Sequence, residues 1–251
     1  MGLGIRTWLE RRGILLLRKS DYHADGVAVR GKNLSALSES AFDHAYHESI
    51  RLNRAGWPNG VPDVRWRAHV CCWAARNALL LEGDFVECGV NTGLLSLTVG
   101  HFLNFATLNR TFWLFDTFEG IPVERVSAEE RAHAAELNAV SYFDCYDVAR
   151  SNFAPFPNAR LVRGVLPDSL ATAQIERIAY LSIDLNNAAP EIASIERLWP
   201  KLSPGAIVVL DDYAFTDYET QHRAWNDFAA SKNRMILTVP TGQGILIKAD
   251  S

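Results

Sequence analysis

From Gly83 onward the chain alternates short apolar runs with longer amphipathic stretches, and four of the five main apolar runs end in acids. Phe85-Val86 leads into Glu87, residues 111–115 into Asp116, residues 178–183 into Asp184, and residues 205–210 into Asp211-Asp212. Strands alternating with helices fold into a doubly wound α/β sheet, because each parallel connection needs a crossover to carry the chain back. Ligands of such sheets bind beyond the carboxyl ends of the strands, where all five acids are expected. One acid at a strand end is ordinarily a cap for the next helix. Five at one edge point to a site.

The remaining pattern completes this frame. Periodicity predicts helices over 94–105, 127–138, 190–202 and 219–232, a further helix through Asp147, and a strand at 159–163. Residues 235–239 and 244–248 read as a terminal antiparallel hairpin whose connection is Pro240 to Gly244. Before Gly83, helices are expected over 6–19, 36–54 and 63–81, with Asp63 as a cap and a Gly/Pro-rich turn over 56–62. The stretch after residue 19 up to residue 32 reads as irregular. Leu37, Ala41, Ala45 and Ile50 are expected to face the core in one helix, and Val70, Trp73, Ala74 and residues 77–81 in the next. The prediction is a Rossmann-like, mostly parallel sheet over 81–251, preceded by a mainly helical extension or cap over 1–80.

Composition narrows the function classes. Of 251 residues, 48% are hydrophobic and 22% charged, which excludes a disordered chain, a collagen-like repeat and a membrane bundle. The net charge of −4 gives no basic field to hold nucleic acid. Residues 1–80 carry 12 Lys and Arg against 7 Asp and Glu, whereas residues 81–251 carry 13 against 22. That acidic second part suits a site for a cation. The apolar run Ile14 to Leu17 is too short for a signal core or a membrane span, so no membrane association is expected. Cys71, Cys72, Cys88 and Cys145 lack C-x-x-C spacing and read as reduced, buried thiols of a cytoplasmic protein. The N-terminal helical segment is a candidate for contact in a homo-oligomer or for a lid.

The turn Glu87-Cys88-Gly89-Val90-Asn91-Thr92-Gly93 lacks the paired glycines that admit a pyrophosphate. Gly89 permits a sharp turn, and Gly93 permits close helix packing or ligand approach. Glu87 suits a cationic ligand group, and an acid at the position of Asp116 accepts hydrogen bonds from ribose hydroxyls. An amino group at one end and a ribose at the other describe S-adenosylmethionine better than NAD. Asp184, Asp211 and Asp212 end adjacent predicted strands, roughly 5 Å apart, and all-oxygen ligands suit Mg2+ rather than zinc. The competing reading of Asp211-Asp212 is a pair that caps the next helix.

These residues carry a family resemblance. Glu87-Cys88-Gly89 with Gly93, then Leu114-Phe115-Asp116-Thr117-Phe118-Glu119-Gly120-Ile121-Pro122, then Arg163-Gly164-Val165-Leu166-Pro167-Asp168-Ser169-Leu170, resemble the macrocin O-methyltransferase (TylF-type) family. So do Leu198-Trp199-Pro200-Lys201-Leu202-Ser203-Pro204-Gly205 and Asp211-Asp212-Tyr213, and the likeness covers roughly residues 65 to 230. It implies a class I, S-adenosylmethionine-dependent fold and Mg2+-dependent methylation of a hydroxyl, often on a sugar. By position, Glu87, Gly89 and Asn91 would lie along the methionine part of the cofactor. Asp116 would hold ribose with Thr117 and Phe118 beside it, and Gly164 and Val165 would flank adenine. Asp184, Asp211 and Asp212 would bind Mg2+, and Asp184 would assist deprotonation of the acceptor.

One motif departs from the family. Where it reads Asp-x-Asp followed by Tyr-Glu, this chain reads Asp184-Leu185-Asn186-Asn187-Ala188. An asparagine carbonyl can still ligate a hard cation, so the departure bears on the acceptor as much as on the metal. His222 is a candidate base or substrate contact, though a histidine on such a helix is more often a surface residue; His133 and Tyr142 are candidate acceptor contacts in the insertion after Pro122. Trp57, Trp66 and Trp73 read as core of the cap rather than as a sugar-stacking surface. The expected function is an O-methyltransferase for a small polyhydroxylated or glycosyl acceptor. An NAD(P)-dependent oxidoreductase and a non-catalytic interaction module are the alternatives, the latter favoured by Asn186.

Overall fold

A computed structural model describes residues 21–57 and 59–249; the helix expected over 6–19 lies outside these. The central sheet is built from β3 (Asp84–Cys88), β4 (Phe112–Asp116), β5 (Ala159–Arg163), β6 (Ile178–Ile183), β7 (Leu202–Leu210), β8 (Leu237–Thr238) and β9 (Gly244–Ile247). Its order is β5-β4-β3-β6-β7-β9-β8. The strands β3 to β7 run parallel, and β9 lies antiparallel to both β7 and β8. The chain leaves β3 toward β5 and then returns to the other side of β3 as β6. This reversal opens a crevice above the carboxyl ends of β3 and β6.

Side chains alternate across the sheet as strand geometry requires. Phe85, Leu114, Tyr180 and Val209 face one core. Val86, Phe115, Leu181 and Val208 face the other. The first core is covered by α1 (Ser40–Asn53), α2 (Arg65–Ala78) and α3 (Leu94–Leu103). The second is covered by α6 (Ala188–Leu198) and α7 (Glu219–Ser231), through Ile195, Leu198, Trp225 and Phe228. Between β4 and β5 lie α4 (Arg131–Val140) and α5 (Tyr146–Asn152). Beneath α4, Ile121, Val126 and Ala134 form a small core of their own.

Several expectations are corrected. Part of the stretch read as irregular is a hairpin, β1 (Tyr22–Ala24) and β2 (Val27–Val29), joined by Asp25-Gly26 with both residues at positive φ. Asp-Gly is a strong two-residue turn signal. In α1 the buried stripe is Phe42, Ala45, Tyr46, Ser49 and Asn53, and Ala41 is exposed. In α2 the buried residues are Ala68, Cys71, Cys72, Ala74, Ala75 and Ala78, with Ala74 as expected and Val70 packed beside them, while Trp73 is 48% exposed and, beyond the helix, Leu80 86%. Small residues let α2 lie close to the sheet, which pushes the larger ones outward. The N-cap of this helix is Val64 rather than the expected Asp63, which stands one residue before it and accepts the Arg65 N–H at 3.2 Å. Because α2 shares one core with Phe85 and Tyr180, packing is continuous across residue 80. Pro200 ends α6 at Leu198, as the clash of a proline ring with the preceding turn demands. The strand after it starts at Leu202, three residues earlier than expected.

Candidate active site

A cavity of about 280 Å3 opens at the crevice. Its floor is the loop after β3. There Gly89 has φ +89°, and a Cβ would overlap the Asp184 carbonyl, so glycine lets the ends of β3 and β6 cross. A Cβ at Gly93 would strike the Phe153 ring; Gly93 packs a helix and does not line the cavity. Glu87, 4% exposed, lines the cavity, and its Oε2 has no partner. Burial, then repulsion from Asp211, raises its pKa well above the carboxylate range. An ammonium group fits this orphaned oxygen, since a buried carboxylate is costly until it is paired.

Asp116 is placed as expected but is largely occupied. Its Oδ2 accepts the backbone N–H groups of Val90 and Asn91 at 2.6 and 2.7 Å, and its Oδ1 accepts that of Phe118 at 2.6 Å. Thr117 Oγ1 lies 3.3 Å from Oδ1, but its single proton goes to the Gly120 carbonyl at 2.6 Å. One acceptor direction on Oδ1 is left, enough for one hydroxyl of a ribose. Asn91 and Phe118, both at positive φ, complete this loop clamp, and Gly164 and Val165 form the adjoining wall.

On the same cavity, Asp184, Asp211 and Asp212 each present an oxygen, all within 4.8 Å of one another. The ladder continues past the strands to set them there: Asp184 N–H donates to Cys88 O at 2.8 Å, and Asp211 N–H to Ile183 O at 3.0 Å. Burial and mutual repulsion raise the pKa of Asp184 and push that of Asp212 up to about 8. Asp212 Oδ2 has no partner. This donor set is all oxygen and short of positive charge, which fits a hard divalent cation.

Asn186 turns away from that role. Its carbonyl accepts the Tyr218 hydroxyl at 2.8 Å, and its amide donates to Asp184 Oδ1 at 3.1 Å and to the Tyr142 hydroxyl at 3.0 Å. Tyr142 does line the cavity, together with Ile121, Leu137 and Phe143 of the insertion. His222 and His133 do not line it. His222 Nδ1 sits 2.9 Å from the Tyr213 carbonyl, and the His133 ring packs on Tyr218. Among the tryptophans, Trp57 faces the cavity and donates to Thr92 Oγ1 at 3.0 Å; Trp66 packs against the core.

Sequence reasoning missed Arg67. It lines the cavity and donates from Nη1 to Asp211 Oδ2 at 2.5 Å and from Nε to Asp25 Oδ2 at 2.7 Å. Burial opposes its charge, but Asp211, Asp25 and Asp184 outweigh it and hold the guanidinium protonated. The opposite oxygen of Asp211 accepts from Gln243 Nε2 at 2.9 Å. An Arg three residues into a helix gives no such signal, because its partners stand 42 and 144 positions away.

The sheet order, the antiparallel last strand and the acid-lined crevice define a Rossmann-like fold of the methyltransferase type. The chain belongs to the Macrocin-O-methyltransferase (TylF) family, which residues 65–239 match. It is 28% identical over 144 residues to the mycinamicin III 3''-O-methyltransferase of Micromonospora griseorubida, covering 53% of this chain and 56% of that protein. It is 30% identical over 203 residues to the demethyldecarbamoylnovobiocin O-methyltransferase of Streptomyces niveus, covering 74% of this chain and 77% of that one. A tetracenomycin-type 4'-O-methyltransferase of Streptomyces olivaceus matches at 33% over 54% of its length. The chain thus spans about half the length of two of these relatives. Among solved structures, the O-methyltransferase NovP superposes with a TM-score of 0.66 at 22% identity, covering 86% of this chain and 97% of that one. All four cysteines are free and buried. Among the described residues no helix is long and apolar enough to cross a membrane.

Proposed function

We propose that this chain is an S-adenosylmethionine-dependent O-methyltransferase acting on a hydroxyl of a sugar-like, polyhydroxylated acceptor, with a divalent cation such as Mg2+ at Asp184, Asp211 and Asp212. The observation that carries the reading is one cavity that holds both the buried Glu87 carboxylate, whose Oε2 has no partner among the described residues, and the aspartate trio. The relative from Streptomyces olivaceus, named for methylation of a rhamnosyl tetracenomycin, supports the acceptor class. The unpaired thiols suit a reducing, cytoplasmic setting.

When bound, the cofactor supplies a methyl on a sulfonium, and a divalent cation supplies positive charge at the acceptor oxygens. The chain does the rest. Glu87 holds the ammonium group, and Asp116 takes one ribose hydroxyl on its open Oδ1 position. Asp184 would accept the proton of the acceptor hydroxyl. Ile121, Leu137 and Phe143 add apolar surface to the cavity wall. Alignment is the larger contribution, since direct transfer needs no covalent intermediate.

Calorimetric titration with S-adenosylhomocysteine, with and without Mg2+, tests this. The wild type is expected to bind, and Glu87→Gln, which removes the charge facing the ammonium, to bind about tenfold more weakly. No binding to the wild type under either condition overturns the reading.

A further inference from the structure

Asp211 is held differently from its two neighbours. Among the described residues Asp184 and Asp212 have no ion-pair partner, whereas Asp211, 1% exposed at its side chain, is paired with Arg67. That arginine is itself fixed on three sides. Asp25, at the tip of the N-terminal hairpin, accepts from both Nε (2.7 Å) and Nη2 (3.2 Å). The Phe215 ring lies 5.6 Å from the guanidinium carbon. Gln243, fully buried, closes the other side of Asp211, with its own carbonyl taken by Thr241 Oγ1 at 2.9 Å. Asp25 and Gln243 both lie outside the stretch that matches the family, residues 65–239.

We propose that Arg67 is a positioning residue that sets the charge which Asp184, Asp211 and Asp212 present to a divalent cation, and that Asp25 in turn tunes Arg67. The inference rests on the cation site proposed above. Three carboxylates meeting one divalent cation leave a surplus negative charge; one guanidinium bonded to Asp211 removes it, and two charges then meet two. The planar fork of arginine suits this task, since it bonds Asp211 and Asp25 with separate N–H groups. Asp25 offsets part of the guanidinium's charge from the far side. The hairpin that carries Asp25 is therefore part of the site, although it stands far from the strand ends in sequence.

The two partners have opposite electrostatic signs, and this separates the proposed role from a merely structural one. Calorimetric titration of the full chain with Mg2+ alone, at fixed pH and ionic strength, reads the effect. Arg67→Gln keeps a donor to Asp211 but removes the positive charge, and is expected to bind Mg2+ about tenfold more tightly. Asp25→Asn leaves the guanidinium less compensated, and is expected to bind about threefold more weakly. Arg67→Lys keeps the charge and should stay within about threefold of the wild type. Shifts in the same direction for Arg67→Gln and Asp25→Asn, or no shift in either, overturn the proposal. If Arg67→Gln fails to fold by circular dichroism, the other two variants decide: weaker binding in Asp25→Asn with none lost in Arg67→Lys supports it, and any other pattern overturns it. Wild type that binds S-adenosylhomocysteine but no Mg2+ overturns this role and leaves methyl transfer standing. Mg2+ binding with opposed shifts, in a chain that does not bind S-adenosylhomocysteine, supports this role and overturns methyl transfer.

Discussion

Gly26 and Gly89 share a positive φ but have opposite surroundings. Nothing lies within 4 Å of a Cβ built on Gly26, whereas one on Gly89 would overlap the Asp184 backbone. Gly26→Ala should therefore cost only the left-handed backbone term, about 1 kcal/mol. Gly89→Ala must also push β3 and β6 apart, and should cost about 3 kcal/mol or more; urea unfolding of both variants checks the contrast. Glu191 provides a pH signature. It accepts from Leu185 N–H, Gln221 Nε2 and Trp225 Nε1, yet burial outweighs these bonds and pushes its pKa from 4.5 to about 7. An acid with a raised folded pKa binds more protons folded than unfolded across that window. Its contribution to stability is then fully present below about pH 4.5, shrinks as the pH rises, and levels off above about 7. The stability difference between wild type and Glu191→Gln should fall from pH 5 to 7 and then flatten, which denaturant melts across that range would show.

At the scale of elements, the insertion over the cavity is the piece least tied to the rest. Its own core has three buried members, and Asn138 fastens it by exchanging both amide bonds with Ile121, at 2.8 Å each. Asn138→Ala should raise amide hydrogen exchange in residues 121–142 while leaving β3, β6 and β7 protected. The sequence placed most elements within a few residues, because strand and helix periods differ sharply. It failed where packing overrode propensity. In α2, Trp73 reads as part of the buried face, yet the stripe that meets the sheet is alanine and cysteine. Close approach of a helix to a sheet favours small side chains, and one strand's neighbours cannot be read from its own residues. The Asp25-Gly26 turn was legible by its composition and passed over as irregular.

For the molecule as a whole, one core runs across residue 80. Cys71, Cys72 and Ala75 lie in it with Phe85 and Tyr180, so a fragment starting at Gly83 would expose part of one face of its sheet. Such a fragment should lack near-ultraviolet circular dichroism and unfold without a sharp transition, whereas the full chain should melt in a single step. The sequence alone determined the doubly wound order of elements and the line of acids at the strand ends, because both follow from local periodicity and from where a strand must stop. It also determined that Asp184, Asp211 and Asp212 would meet, since adjacent parallel strands bring their ends together. Only the tertiary structure decided how those acids are balanced. It took one acceptor direction after another from Asp116, turned Asn186 toward two tyrosines, and set Gln243 and an Arg67 held by Asp25 around Asp211. Hydrogen bonds between residues 26 to 144 positions apart leave no mark on local pattern; they exist only once the chain has closed around them.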